Sequence, residues 1–159
     1  MIENISGISP QLKVFLMSML PISELRLALP LALTVYHLSF WQAIFLTVVG
    51  NFIPAVMIIF VLGWTEKFLS SKSVCFARFF KALFERTHIK HNKKFEVWGA
   101  IALISFVAIP LPMTGAWTGA LASFIFEIEK KKALIYILLG IIFASAIVAV
   151  ITLGMEKIF

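Results

Sequence analysis

Only 14% of the 159 residues are charged, three are histidine and one is cysteine. Each scarcity removes a class of function. The lone Cys75 cannot form a disulfide within the chain and cannot build a thiolate metal site, which excludes structural and catalytic dithiol chemistry. His88 and His91 share a helix face at i, i+3, but no further ligand lies near them in sequence, so no metal is expected. His37 falls in a predicted turn and is expected to meet water. No nucleophile is paired with a base, and there is neither a glycine-rich phosphate loop nor a zinc motif. An enzyme is therefore not expected, an intramembrane hydrolase being the one enzymatic alternative, and neither is a cofactor. The first twenty residues hold Glu3 and a late Lys13 with no small-residue cleavage site, which predicts no removable signal peptide.

What the chain has in abundance is apolar surface. Hydrophobic residues make up 61% of it and the mean hydropathy is +1.01, more than a soluble domain of this length hides in one core. An integral membrane protein is the reading. Four apolar stretches stand out, at about 12–36, 41–64, 97–126 and 133–155. The second and fourth are uninterrupted and reach the roughly 20 residues that cross a hydrocarbon core of about 30 Å. Trp41 and Trp64 bracket the second as interfacial anchors.

The first and third stretches are cut by prolines. Leu12 to Leu20 and Leu25 to Tyr36 flank Pro21, Ser23, Glu24 and Arg26, and in the third "VWGAIALISFVAI" is followed by "PLPMTGAWTG" and "ALASFIF". Halves of about nine to thirteen residues rise only some 14–20 Å as helix. Each stretch is either one bent span or a hairpin that enters and leaves on one side. Net charge is +6, and eight Lys or Arg against three Glu lie in 65–96. Beside membrane segments, such charge marks the cytoplasmic side rather than a nucleic-acid site. If both broken stretches are re-entrant, this segment and Lys130 to Lys132 share a face, which gathers eleven of the fourteen basic residues on the cytoplasmic side.

Spacing adds a repeat. Pro21 to Gly50 is 29 residues and Pro110 to Gly140 is 30, while Gly50 to Gly63 is 13 and Gly140 to Gly154 is 14. The expected fold is all-α and membrane-embedded, an inverted repeat of a re-entrant hairpin plus a spanning helix. Residues 1–159 form one membrane domain, with repeat one at about 12–64, a linker at 65–96 and repeat two at about 97–155. Phe68, Val74, Phe76, Phe79, Phe80, Leu83 and Phe84 fall mostly at helical spacing among basic residues. That predicts an amphipathic linker helix on the inner surface, either binding anionic headgroups or only fixing topology.

Two stretches carry candidate chemistry. Glu24 and Arg26 are costly at depth, about 2.5–3.5 kcal/mol each on insertion scales. On a regular helix i and i+2 point apart, so the two meet only where the helix is interrupted. A carboxylate there exchanges a proton and a guanidinium offers a planar fork to phosphate or carboxylate; the alternative is that both lock the hairpin. In "PLPMTGAWTGA", Pro110 and Pro112 followed by Thr114, Gly115 and Thr118 mark irregular backbone whose amides suit an anion, although Gly115 and Gly119 also make a GxxxG packing step. Asn51 and Pro54 in "GNFIP" read as support for a broken hairpin.

"ELRLALPLAL", "GNFIP" and "PLPMTGAWTGALAS" together resemble the small multidrug export protein family, which is similar by fold to the DedA membrane proteins. The resemblance runs from about residue 12 onward. It implies two re-entrant hairpins facing each other and points by position to Glu24, Arg26, Pro30, Pro112, Thr114, Gly115, Ala116 and Trp117; with Asn51 these are the expected transport-site residues. Relatives often carry glycine shortly after the arginine, where this chain has Leu27. The DedA likeness implies transport of a lipid-linked phosphate of the undecaprenyl phosphate type, coupled to a proton or sodium gradient across the bacterial inner membrane. A small multidrug or cation exporter, a passive lipid scramblase and a non-transporting scaffold are the alternatives. A homodimer is expected to cover the broken backbone.

Overall fold

The computed structural model describes residues 8–72, 93–111 and 114–156, and all of the regular structure among them is helical. Six helices follow one another: α1 (Pro10–Met19), α2 (Glu24–Thr34), α3 (Phe40–Lys72), α4 (Lys93–Ala108), α5 (Ala116–Ile125) and α6 (Lys130–Glu156). Most of the amphipathic linker expected over 65–96 lies outside the described residues, as does Pro112.

Local sequence explains the boundaries. Ser9 caps α1 with its hydroxyl accepting from the Leu12 amide, and Pro10 occupies the first turn, where its missing N–H costs nothing. Leu20 precedes Pro21 and takes extended backbone, which ends the helix. α4 likewise stops two residues short of Pro110. α3 continues past Trp64 to Lys72 because nothing in 65–72 breaks it. Pro30 lies within α2 and marks no edge of the break; its ring leaves the Arg26 carbonyl without an intrahelical donor.

Among the described residues two helices are long and apolar enough to cross a membrane, Phe40–Thr65 and Lys130–Met155. Their outer faces carry Phe45, Met57, Phe60 and Val61 on α3 and Ile135, Phe143 and Val150 on α6, all exposed. Apolar surface on that scale is solvated by lipid. Trp41 and Trp64 stand exposed at the two ends of the α3 span, about 34 Å apart along the axis. By contrast α1 and α5 have ten residues each, about 15 Å of helix.

Packing repeats across the two triplets. α1 packs on α3 as α4 packs on α6, and the second helix of each triplet leans on the long helix of the other, α2 on α6 and α5 on α3. Exchanging the triplets maps the set of packed pairs onto itself. The correspondence reaches single residues. A Cβ on Gly50 would meet the Phe15 carbonyl at 2.8 Å, and one on Gly140 would meet the Ile104 carbonyl at 3.0 Å. Each glycine is the eleventh residue of its long helix and admits the end of the first short helix of its own triplet, α1 or α4. Both breaks are thereby set at about half the depth of the spans.

Candidate functional site

The two breaks meet. α2 begins at Glu24, which takes a positive φ of 42°, and this departure from helical backbone turns its carboxylate to within 3.9 Å of Arg26 two residues on. The pair excluded on a regular helix forms because the helix starts there. The carboxylate is buried, 6% exposed, and accepts the backbone N–H of Trp117 in the first turn of α5. A residue of the first break thus serves as the anionic cap of a helix in the second.

Gly115 makes the approach feasible. Its φ of 138° and ψ of −166° belong to backbone that side chains avoid, and a Cβ there would lie 2.6 Å from the Glu24 Oε1 and 2.7 Å from its Cδ. Gly119 has another task, since its missing side chain admits Val107 of α4. The GxxxG step therefore divides between a site contact and helix packing.

Arg26 crosses in the same direction. Its Nη1 donates to the Leu111 carbonyl and its Nη2 to the Thr114 carbonyl, with the Thr114 hydroxyl 2.8 Å from Nη2. That hydroxyl lies 2.8 Å from both the Ile109 and Leu111 carbonyls. The guanidinium thus satisfies carbonyls that the Pro110 break leaves without helical partners. In return the Trp117 indole Nε1 donates to the carbonyl of Met19, the last residue of α1, at 3.2 Å. Arg26 and Trp117 both lie in the first turn of the second helix of a triplet. Arg26 donates into the loop between α4 and α5, and Trp117 to the last residue of α1, so each break is held by a donor from the other triplet.

Beside Arg26 opens a cavity of about 590 Å³ lined by Arg26, Pro30, Thr34, Pro110, Val148, Ile151, Thr152 and Met155. Arg26, Pro30 and Thr34 form an i, i+4, i+8 stripe along α2, and the α6 residues recur at helical spacing opposite it. The hydroxyls of Thr34 and Thr152 donate to carbonyls one turn earlier in their own helices, which leaves the walls largely apolar and Arg26 as the cation. The volume is that of a small-molecule site.

Of the residues singled out from sequence, Glu24, Arg26, Thr114, Gly115 and Trp117 come together, with Ala116 buried behind them. Pro30 lines the cavity. Asn51 is 1% exposed in α3, and its Oδ1 has no hydrogen-bond partner among the described residues. His37 is exposed in the turn after α2. Sequence reasoning missed Met19 and Leu111, which act through backbone carbonyls that any residue supplies. It also passed over α6 as an ordinary span, although Thr152 one turn after Val148 was a sign that this face looks onto something other than lipid.

A family model described as "Putative small multi-drug export protein" matches residues 24–147, more than three quarters of the chain, from the start of α2 through the second break, α3 and most of α6. No curated protein and no solved structure matches.

Proposed function

The chain belongs to the small multi-drug export family, and from that premise we propose that it is a secondary transporter. Its cargo is an amphiphile with one anionic head, a lipid-linked phosphate of the undecaprenyl phosphate type. The observation that carries this reading is the cavity between α2 and α6, apolar along its walls and headed by Arg26. A phosphate docks on the guanidinium fork while the chain lies against Pro30, Val148, Ile151 and Met155. Glu24 exchanges the coupling ion, a proton. No metal or cofactor takes part, and the likeness to DedA-type proteins belongs to the same reading.

Topology follows from the same proposal. Lys130 at the start of α6 lies 5.8 Å from the Phe60 ring centroid and against Gly63. This supports placing the end of the α3 span and the start of α6 on one face, as re-entrant pairs α1–α2 and α4–α5 require. With the basic residues inside, 65–96 and 130–132 are cytoplasmic, the protein is multi-pass in the bacterial inner membrane, and the cavity opens toward the outer face. A homodimer is part of the reading. The turn at Leu20 to Ile22, with Ile22 92% exposed at mid-depth, is irregular backbone that lipid does not satisfy, and a second copy covers it.

A cationic drug is the second cargo to consider, on the family's description. The Glu24 carboxylate is directed at α5 and Arg26 faces the cavity, which favours an anion. The test is translocation of a fluorescent polyprenyl phosphate into proteoliposomes under an imposed proton gradient. Arg26→Ala abolishes uptake, and an uncoupler abolishes it in the wild type; uptake that survives the uncoupler identifies a passive scramblase. Uptake unchanged in Arg26→Ala would sink the proposal, and efflux of cationic dyes lost with Glu24→Gln but kept with Arg26→Ala would favour the drug exporter. Loss of function tracking only loss of fold would leave a scaffold.

A further inference from the structure

The Glu24 carboxylate already occupies the place that an anionic cargo needs. It lies 3.9 Å from the Arg26 Nη2, accepts the Trp117 amide in the first turn of α5, and fits there because Gly115 has no side chain. One tethered anion thus engages both a guanidinium and a helix N-terminal amide, the two groups that bind phosphates best. A second anion arriving through the cavity meets Arg26 from its open side. Two negative groups on one guanidinium in a water-poor interior repel each other strongly.

We propose that Glu24 is a built-in competitor of the cargo anion. While ionised it holds Arg26 and the α5 amide; once protonated it gives up the charge-assisted contacts, and the cargo anion takes its place. This rests on the reading that the site takes an anionic amphiphile and adds how proton and anion are coupled, one of each per site. The surroundings supply no rival for the role. Lys13 lies near the start of α1, α3 has no charge between Phe40 and Thr65, α5 has none, and α6 carries its charges at its ends, with Lys130 to Lys132 at the start. Arg26 is the charged side chain that faces Glu24 among the described residues.

The test uses the full-length protein in phosphatidylcholine nanodiscs with dodecyl phosphate as the probe. Calorimetric titrations between pH 5 and 9, in buffers of different ionisation heat, count protons taken up on binding. Wild type takes up one proton more per site than Glu24→Gln at the pH where the carboxylate is ionised in the empty protein. The comparison cancels the ionisation of the probe itself. Over that range wild-type affinity, relative to the variant, rises tenfold for each pH unit lowered, and Glu24→Gln binds at least as tightly as wild type at every pH. Equal proton uptake by the two proteins, or weaker binding by Glu24→Gln throughout, would overturn the competition while leaving the anion site standing. Failure of wild type to bind the probe at any pH would overturn the anion site itself. If Glu24→Gln does not stay monodisperse, the wild type is titrated with lysophosphatidylglycerol, whose charge is constant over this range. Uptake of one proton supports the proposal and uptake of none overturns it.

Discussion

Replacing Gly115 by alanine is the sharpest perturbation of this architecture. At φ 138° and ψ −166° a Cβ-bearing residue is strained by about 1–3 kcal/mol. The new methyl also falls onto the Glu24 carboxylate, 2.6 Å from its Oε1, so that carboxylate has to move and leave the Trp117 amide. A hydrogen bond to a charged group is worth about 1.5–3 kcal/mol, which brings the total to roughly 3–5 kcal/mol. For a chain of this length 1 kcal/mol corresponds to about 2–4 °C in Tm, so Gly115→Ala is expected to lower the midpoint by about 10 °C. Fluorescence-detected size-exclusion chromatography after heating in detergent measures it. Gly99→Ala is the control, because a Cβ at that α4 position meets nothing within 4 Å and alanine gains about 0.5–1 kcal/mol over glycine in a helix. Glu24→Ala provides the second arm: with the carboxylate gone, Gly115→Ala keeps its backbone strain and loses the collision, so the double variant is more stable than the two separate losses added together. Equal midpoints for Gly115→Ala and Gly99→Ala, or strict additivity with Glu24→Ala, would refute the contact between the two breaks.

Gly50→Ala and Gly140→Ala are expected to destabilise alike by several kcal/mol, since each forces a methyl against a backbone carbonyl of the adjoining short helix; one tolerated and the other not would break the correspondence of the two triplets. Trp117→Phe keeps the ring and removes the donor to Met19, which costs about 1–2 kcal/mol for the orphaned carbonyl and shows in the same heating assay. In a Cys75→Ser background, His37→Cys and Lys131→Cys should label from opposite sides of oriented vesicles. Labelling from one side would mean that the broken stretches are bent spans.

Much of this arrangement was legible in the sequence because it is written in strong local signals. Prolines with small polar residues located both breaks, uninterrupted apolar runs located α3 and α6, and the expense of charge at depth drew attention to Glu24 and Arg26. The glycine spacing alone pairs Gly50 with Gly140. The choice of partner was not legible, because Arg26 binds the carbonyls of Leu111 and Thr114, and Glu24 binds an amide of α5, through groups common to every residue. The positive φ at Glu24 is likewise set by tertiary contact, since glutamate has no local preference for it. The helical setting of Pro30 was not legible for the same reason: proline at the seventh position of a helix is disfavoured locally and is tolerated here inside a packed bundle.

Arg26 and Trp117 each reach across to the other triplet's break, and they differ in charge. A molecule whose halves are related by near-symmetry would be indifferent to the direction of traffic if its centre were also symmetric. Here the centre is not, for a permanent cation holds one break and a neutral indole holds the other. On the proposed path, an anion from the cavity side would meet its counter-ion first, and one from the other side an uncharged ring. That difference makes the two approaches to the centre unequal in the order of their contacts, while the net direction of any transport is left to the gradients.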